Sequence, residues 1–248
     1  MTGLIEQISG AAFSPGNVVL PPLPALPTSP AVTALWCYPG TDLAHSQNLM
    51  GAPAITQLGT PTYQPGYISG CLGGASPIGL DTHIPDDAIG NSFSILFAAR
   101  HTGATDAQTS VPIGNVDNST AFGVNIGMVG TGTFQVVING PSITGTLPVT
   151  TITAWHLYGL SFDDVAHSLN LFNLTDNLTN TFTNVAAARA KSGATYYIGA
   201  NPRTTIGTRT CDVAFAGMIK GQVISQATAI QYAANIRANL AMRGVTVG

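Results

Sequence analysis

Charged residues are scarce in this sequence. They make up 8% of its 248 residues, whereas hydrophobic residues make up 45%. Disordered chains have the reverse balance, so this composition predicts a folded protein. Thr, Ser, Asn, Gln and Gly must then cover most of the surface, which is usual in proteins that live inside assemblies.

Basic residues are too scattered to follow a phosphate backbone, and the formal net charge is −3. The eight Lys and Arg residues are Arg100, Arg189, Lys191, Arg203, Arg209, Lys220, Arg237 and Arg243. Because they form no stripe or cluster, the sequence argues against nucleic-acid binding.

Long apolar runs are also missing. No window has the ~18 uncharged apolar residues that a membrane span requires. The N-terminus, MTGLIEQISGAAF, has neither the basic region nor the apolar run of a secretory signal peptide. We therefore expect no membrane span and no Sec-type export.

The three cysteines, Cys37, Cys71 and Cys211, are too few for a disulfide scaffold and show no CxxC spacing. This pattern argues against zinc and iron–sulfur sites as well. Buried thiols are the predicted state. The alternative is a cross-link between Cys37 and Cys211, which requires that the first and last strands pair.

Glycine and proline, in contrast, are abundant, with 28 and 16 residues. Together with short β-prone runs about ten residues apart, they predict many short strands joined by turns. The clearest pair lies at 151–174, where residues 152–162 and 169–174 alternate around a polar turn. Both faces of this hairpin are mostly apolar, so we expect it to lie inside a sandwich.

The remaining elements complete an all-β fold class. Further strands are predicted at 31–38, 54–58, 67–72, 91–100, 120–128, 133–138, 180–185, 194–198 and 213–224. A helix is predicted over 226–243, with Ser225 as its N-cap and Gly244 as its stop. The prediction is a two-sheet antiparallel jelly-roll sandwich with an extended N-terminal arm and a C-terminal α-helix.

The arm, residues 1–30, is rich in proline and leucine. The apolar and proline residues that we assign to it are Leu20, Pro21, Pro22, Leu23, Pro24, Leu26 and Pro27. Proline fixes φ and removes the amide donor, so this segment is expected to be extended and unable to join the middle of a sheet. A flexible linker is the alternative, but a linker would be more polar, and we predict an arm that lies on a neighbouring subunit or protein.

Four sequence pieces in this order carry a family resemblance. They are ALWCY, NSFSILFAARHTG, the pair AWHLYGLSFDD and SLNLFNL, and the closing stretch from YYIGAN to AMRGV. Residues 31–248 thereby resemble the laminin-G-like, pentraxin-like branch of the concanavalin A-like lectins and glucanases. Trp155, His156 and Asp163 match the family's central motif, whereas Leu157 stands where a second His often falls.

The resemblance implies two antiparallel sheets, one of them concave, and raises two kinds of site. Members often hold calcium through loop carboxylates, for which the candidates here are Asp106, Asp117, Asp163 and Asp164. Sugar binding would use exposed aromatic rings, for which the candidates are Tyr63, Tyr67, Tyr196 and Tyr197. Trp36 and Trp155 are expected to pack in the core instead.

A glycanase is the enzyme that such a resemblance suggests, and the sequence argues against it. Retaining or inverting hydrolysis requires two suitably spaced carboxyl groups, but Glu6 is the single Glu. The adjacent pairs Asp86–Asp87 and Asp163–Asp164 lie at predicted turns, and neighbours on an extended chain point apart. No HExxH or GxSxG motif is present, and His156 is expected to fill a strand position. No catalytic residue is predicted.

The Thr-, Gly- and Ala-rich, charge-poor body is most similar to modules on bacteriophage structural proteins. We therefore expect a non-catalytic structural module of a virus particle, as a decoration or tail protein made in the host cytoplasm. Its predicted partners are other virion proteins and further copies of itself. The alternative is a glycan-binding receptor-recognition or adhesin module that contacts host-surface glycans, and a weaker alternative is a polysaccharide depolymerase.

Deletion of residues 1–30 tests the anchoring role of the arm. The truncated chain is expected to remain folded and to lose incorporation into its assembly. Thermal melting would report the fold, and a mass-spectrometric inventory of purified particles would report incorporation. Normal incorporation of the truncated protein would contradict the prediction.

Overall fold

The computed structural model describes residues 31–139, 143–183, 189–203 and 205–248, so the predicted arm at 1–30 lies outside the described residues. Within them the chain forms fifteen strands and one α-helix. The elements are β1 (Thr33–Cys37), β2 (Thr56–Leu58), β3 (Thr62–Gln64), β4 (Tyr67–Leu72), β5 (Gly79–Pro85), β6 (Phe93–His101), β7 (Thr109–Gly114), β8 (Gly123–Val129), β9 (Thr133–Asn139), β10 (Ile143–Pro148), β11 (His156–Asp163), β12 (Ser168–Asn173), β13 (Leu178–Thr183), β14 (Thr195–Ile198), β15 (Thr210–Lys220) and α1 (Gln226–Met242).

The strands form two antiparallel sheets that face each other. The first sheet has the order β13-β12-β11-β6-β15-β4-β3, with β1 also paired to β15, and the second has the order β10-β9-β8-β7-β14-β5-β2. Every strand pair in both sheets is antiparallel. The predicted fold class, an all-β sandwich with a C-terminal helix, is confirmed.

The predicted hairpin is confirmed as β11 and β12 and supplies much of the core between the sheets. Tyr158, which is fully buried, stacks on Phe97 of the same sheet at 5.2 Å between ring centroids. It also contacts Phe134 of the second sheet at 4.8 Å, so aromatic packing joins the two layers. Gly159 points to the opposite face, where a Cβ would stand 2.6 Å from Leu96.

Some predicted strands have the wrong ends, and some observed strands were not predicted. The strand predicted from residue 152 begins at His156, because residues 152–154 form a turn closed by the Ala154 amide and the Thr151 carbonyl. Strands β3, β5, β7 and β10 were not predicted. In β7, Pro112 lies inside the strand at a register shift between Ser110 and Ile113, where a missing amide donor is tolerated.

The C-terminal helix covers the outer face of the first sheet. The Ser225 hydroxyl caps it by accepting a hydrogen bond from the Thr228 amide at 3.2 Å, and Gly244 follows its end at φ 78°, as predicted. The buried residues of the helix are Ala229, Ala233, Asn235, Ile236 and Leu240. The four apolar residues of this set belong to a second apolar cluster with Trp36 and Phe215, so Trp36 packs in the core as predicted. No helix in the described residues is long and apolar enough to cross a membrane.

The three cysteines are free and buried, as predicted. Cys37 lies opposite Ala216, whereas Cys211 lies opposite Cys71, so the register does not pair Cys37 with Cys211. Burial raises the pKa of the Cys37 thiol to about 12, against a small opposing effect of Arg243. At neutral pH this thiol is protonated and a poor nucleophile.

A buried ion pair lies beside the second sheet. Arg189 and Asp86 are paired through Nη2 and Oδ1, and neither side chain has any exposed surface. The Tyr196 hydroxyl donates to the same carboxylate at 2.6 Å, and the Ser192 amide donates to its other oxygen at 2.8 Å. The guanidinium carbon also lies 4.5 Å from the centroid of the Phe93 ring. Since each charge is satisfied by the other, loss of one partner leaves an uncompensated buried charge.

Substitution Asp86→Ala is expected to lower the free energy of unfolding by about 3–5 kcal/mol, because Arg189 would be left buried and unpaired. Asp87→Ala is the matched control. Asp87 pairs with Lys191 at 3.2 Å, but its side chain is 84% exposed, so about 1 kcal/mol or less is expected. Urea denaturation measures both, and equal losses in the two variants would contradict the prediction.

Candidate functional site

The outer surface of the second sheet carries a row of residues that crosses all seven strands. Directly paired residues on neighbouring antiparallel strands share one face of a sheet. Starting from β2, the row consists of Thr56, Asp81, Tyr197, Gly114, Asn125, Val137 and Thr144. Beside it, Gln135 pairs with Thr146 and extends the same surface. We call the surface formed by these nine residues the open face.

The open face is polar and accessible, in contrast to the opposite face of the same strands. Thr56, Thr144 and Thr146 are exposed, and Tyr197 and Asn125 are half-buried. The alternate residues of these strands, such as Ile198, Ile113, Ile126 and Val136, belong to the core between the sheets. Asp81 is the single ionisable carboxylate in the row, so the surface is almost neutral.

Tyr197 lies near the centre of the open face. Its strand neighbours in the row are Asp81 on one side and Gly114 on the other. Partial burial, with a smaller effect from the charge of Asp81, raises the pKa of its phenol. The hydroxyl therefore stays neutral and can donate a hydrogen bond. The neighbouring position in the row, Gly114, has no side chain.

Asn201 fills the space above Gly114. A Cβ on Gly114 would stand 2.1 Å from the Asn201 Nδ2, so only glycine leaves room for this amide. The Asn201 Nδ2 donates to the Asn125 Oδ1 at 3.3 Å, and the Arg203 amide donates to the Asn201 Oδ1 at 3.0 Å. Asn201 is itself fully buried, so its side chain covers Gly114 and interrupts the row beside Tyr197.

Hydrogen bonds fix the acidic end of the row. The Asp81 Oδ1 accepts from the Thr195 hydroxyl at 2.7 Å and from the His83 amide at 2.8 Å. His83 has a left-handed φ of 52°, and its Nε2 lies 2.8 Å from the Thr56 hydroxyl. This end therefore offers a fixed carboxylate, an imidazole and a hydroxyl.

The structure separates the four tyrosines proposed for sugar binding. Tyr196 is wrong as a surface residue, because it is fully buried and its hydroxyl contacts Asp86 and Arg189. Tyr63 and Tyr67 lie on the first sheet, where the Tyr63 ring packs against the inter-sheet core. Tyr197 alone of the four stands on the open face, because alternate residues of a strand point to opposite faces.

The predicted calcium ligands do not form one cluster. The loop thought to hold Asp106 and Asp117 contains β7, and a six-residue strand separates them by about 20 Å. Asp106 pairs with Arg209, while Asp163 accepts hydrogen bonds from the Val165 and Ala166 amides within its turn. Asp164 accepts from the Asn91 side chain and the Arg189 amide.

Among the described residues, no group of three or more His, Cys, Asp or Glu could hold a metal ion. Calcium binding through these aspartates stays a prediction.

Asp117 is used as a structural acceptor. Its oxygens accept from the Ser119 amide at 2.8 Å, the Thr120 amide at 2.6 Å and the Gly193 amide at 3.1 Å, with further bonds from two hydroxyls. Burial acts to raise the pKa of this carboxyl, but the hydrogen bonds outweigh it and hold the pKa well below its usual range. The carboxylate ties the β7–β8 turn to the segment before β14.

Sequence reasoning missed most of the open face. The row depends on strand order, because residues from β2 at one edge to β10 at the other are far apart in the chain. A usable signal was present at Gly114 and Gly127, since a glycine inside a strand marks close approach of another group. At Gly127 that group is Thr109, whose Cγ2 would stand 2.5 Å from a Cβ.

Comparison with known proteins finds likeness of structure. No protein-family model matches the sequence, and comparison with curated protein sequences found no match. A structure of botulinum neurotoxin type C, which enters cells through interaction with two ganglioside molecules, gives a TM-score of 0.63 at 10% identity over 83% of this chain and 51% of that one. The binding domain of botulinum neurotoxin DC in complex with SialylT gives 0.60 at 10% identity, over 82% and 51%.

Trypanosoma rangeli sialidase gives a TM-score of 0.63 at 8% identity, over 84% of this chain and 33% of that one. Identities this low show the fold alone, and the fold fits the predicted concanavalin A-like sandwich. This chain spans about half of the toxin structures and a third of the sialidase. The ligands named for them therefore belong to the whole proteins.

Substitution Asp117→Asn tests the structural role of that carboxylate. Its folded pKa lies below the unfolded value of about 3.9, so its stabilisation is present above that pH and is lost as the pH falls through the folded pKa. The variant is expected to lose about 2 kcal/mol of unfolding free energy at pH 7, the scale of hydrogen bonds to a charged group. Urea denaturation from pH 7 to pH 2.5 should show this difference shrinking, and a constant difference would contradict the prediction.

Proposed function

We propose that the domain is a non-catalytic carbohydrate-binding module and that the open face is its binding surface. The observation that supports this most directly is the row of residues across the second sheet. It combines one aromatic ring, side-chain amides and hydroxyls on an accessible and nearly neutral surface. The similarity to structures of ganglioside- and sialic acid-related proteins is a second, weaker support.

The chemistry of the open face suits a glycan. Sugar hydroxyls need donors and acceptors that converge on a fixed surface, and Asn125, Gln135 and the threonines supply both. The apolar face of a sugar ring needs an aromatic partner, and Tyr197 stands at the centre with Gly114 beside it. Because the row crosses all seven strands of the sheet, an extended chain of sugars fits it better than a single ring.

Hydrolysis is not part of the proposal. Glycoside hydrolysis uses a pair of carboxyl groups about 5–5.5 Å or 6.5–9.5 Å apart. The open face has one carboxylate, Asp81, and its Oδ1 already accepts two hydrogen bonds. A single carboxylate in this position suits an acceptor of sugar hydroxyls, because the second carboxyl group that hydrolysis needs has no counterpart in the row.

The second candidate function is the structural module of a virus particle, as a decoration or tail protein in contact with other virion proteins and further copies of itself. It is supported by the charge-poor composition and by the proline- and leucine-rich arm at 1–30. The two functions are compatible, because a receptor-recognition module of a particle needs both an anchor and a glycan-binding surface. The comparisons favour the glycan-binding role, so we place it first.

Substitution Tyr197→Ala tests the open face. Loss of the ring is expected to weaken binding to the best glycan on an array of neutral and sialylated oligosaccharides by about tenfold or more, which corresponds to ~1.4 kcal/mol. Tyr197→Phe retains the ring and should keep most of the affinity. Isothermal titration of the best glycan gives the magnitudes.

Tyr232→Ala is the matched control, since Tyr232 is also half-buried but lies on the helix that covers the first sheet. Its glycan affinity should match that of the unsubstituted protein. Thermal melting must show that all three variants are folded. Unchanged affinity in folded Tyr197→Ala, or no glycan bound by the unsubstituted protein, would refute the proposal.

A further inference from the structure

A cleft of about 280 Å³ lies on the other side of the molecule, where the first sheet meets the end of the chain. Its lining residues are Thr150, Thr151, Ala154, Trp155, His156, Thr175, Asp176, Thr246 and Gly248. The volume is near the lower end of the roughly 300–1,000 Å³ range of ligand pockets, so it suits one sugar-sized ring. None of these residues belongs to the open face.

Trp155 forms the aromatic wall of the cleft. It was expected in a strand interior, but it precedes β11 and is half-buried. The Tyr67 ring meets it edge-on at 5.2 Å, and the Arg100 guanidinium carbon lies 4.8 Å from its centroid. Arg100 is held by the buried Asp212 at 2.7 Å. The indole is thereby fixed in position without a ligand, which lowers the ordering cost of binding.

Two polar side chains, His156 and Asp176, line the cleft, and one atom of His156 lacks a hydrogen-bond partner. His156 is 3% exposed, its Nε2 lies 3.0 Å from the Thr151 carbonyl, and its Nδ1 has no hydrogen-bond partner among the described residues. Asp176 accepts from the Thr150 amide and the Asn173 side chain through Oδ2. The Thr150 side chain also hydrogen-bonds this carboxylate, the His156 Nδ1 lies 3.7 Å from its Oδ2, and 16% of the side chain is exposed. A buried polar atom without a partner is costly and marks a place for a ligand or water.

We propose that this cleft is a second saccharide site that takes a neutral sugar ring, stacked on Trp155 and hydrogen-bonded to Asp176. The lining supplies a carboxylate and several threonine hydroxyls, which accept from and donate to sugar hydroxyls. It contains a negative charge and no Lys or Arg. The two cations that border the lining are already engaged: Arg100 pairs with Asp212 at 2.7 Å, and Arg237 donates to the Gly248 and Leu174 carbonyls at 2.9 and 2.8 Å. A sialic acid carboxylate would meet the charge of Asp176 without a free cationic partner, so the site favours neutral sugars.

The test is titration of the full-length protein with neutral and sialylated oligosaccharides, followed by tryptophan fluorescence and calorimetry. The chain has two tryptophans, and Trp36 is 2% exposed, so a ligand-induced change in emission reports on Trp155. Lactose, maltotriose and N-acetylchitotriose are the neutral probes, and sialyllactose is the acidic one. At least one neutral probe is expected to change the emission and to bind about tenfold more tightly than sialyllactose.

Asp176→Asn is the main variant. It keeps an oxygen for the Thr150 amide and the Asn173 side chain, so the fold is retained, but it removes the second carboxylate oxygen. Affinity measured by calorimetry is expected to fall about tenfold, and Trp155→Phe is expected to weaken binding and abolish the fluorescence change. Tyr232→Ala is the control, since Tyr232 lies on the helix outside both sites and its loss should leave binding unchanged. Tyr197→Ala separates the two sites, because the fluorescence change, which reports on Trp155, should persist in it.

Three outcomes would overturn the proposal. They are no fluorescence change with any neutral probe, tighter binding of sialyllactose than of lactose, and full affinity in folded Asp176→Asn. Loss of the fluorescence response in Tyr197→Ala would place the sugar on the open face instead. Because the two sites are read by different variants, failure of the cleft proposal leaves the open-face proposal intact, and the reverse also holds.

Discussion

The packing of the C-terminal helix on the outer face of the first sheet makes the two sheets unequal. Ala229, Ala233, Ile236 and Leu240 bury their side chains against that sheet, and the cluster they join includes Trp36. Each large apolar side chain that is removed from water contributes about 1.5–3 kcal/mol, so this contact fixes the helix firmly. The outer residues of the first sheet that lie under the helix, such as Leu96 and Ala98, are apolar, whereas its edge strands β12 and β13 carry Asn170, Thr179 and Thr181. The second sheet has no helix packed on it in the described part of the chain, and its outer face is polar.

The outer face of the second sheet can carry polar side chains, because no helix among the described residues packs on it. Its inward residues fill the core, while threonines, amides and Tyr197 alternate outward. Glycines at Gly114 and Gly127 are required where Asn201 and Thr109 lie directly on the sheet. Asp81 is the single carboxylate in the row, so the surface is nearly uncharged. The core and the proposed binding surface thus lie on opposite faces of the same strands. Substitution of Tyr197 or Thr144 should affect the fold little, whereas Gly114 must remain glycine because Asn201 lies against it.

The fold could be predicted from sequence because it depends on local periodicity and turn chemistry. The hairpin of β11 and β12, the capped helix and the strand β6 all follow from these signals. Pro112 concealed β7, since a proline normally excludes a strand interior and the register shift that tolerates it is not visible in sequence. The position of Tyr196 was missed because the carboxylate that its hydroxyl contacts, Asp86, lies 110 residues away in the chain. The site was less predictable than the fold, because strand order decides which side chains meet.

The small number of charged residues determines which forces would hold a glycan on this chain. Asp86, Asp117 and Asp212 are buried and engaged by protein donors, so they contribute to stability and not to the surface. A surface with few ions gives little long-range attraction, and affinity at either proposed site must come from stacking and hydrogen bonds at close range. Such contacts bind single sugars weakly. Two separate sites on one domain would raise the avidity for a surface covered with glycans, because binding at one site increases the effective concentration of the other. Repetition of the domain in an assembly would multiply this effect.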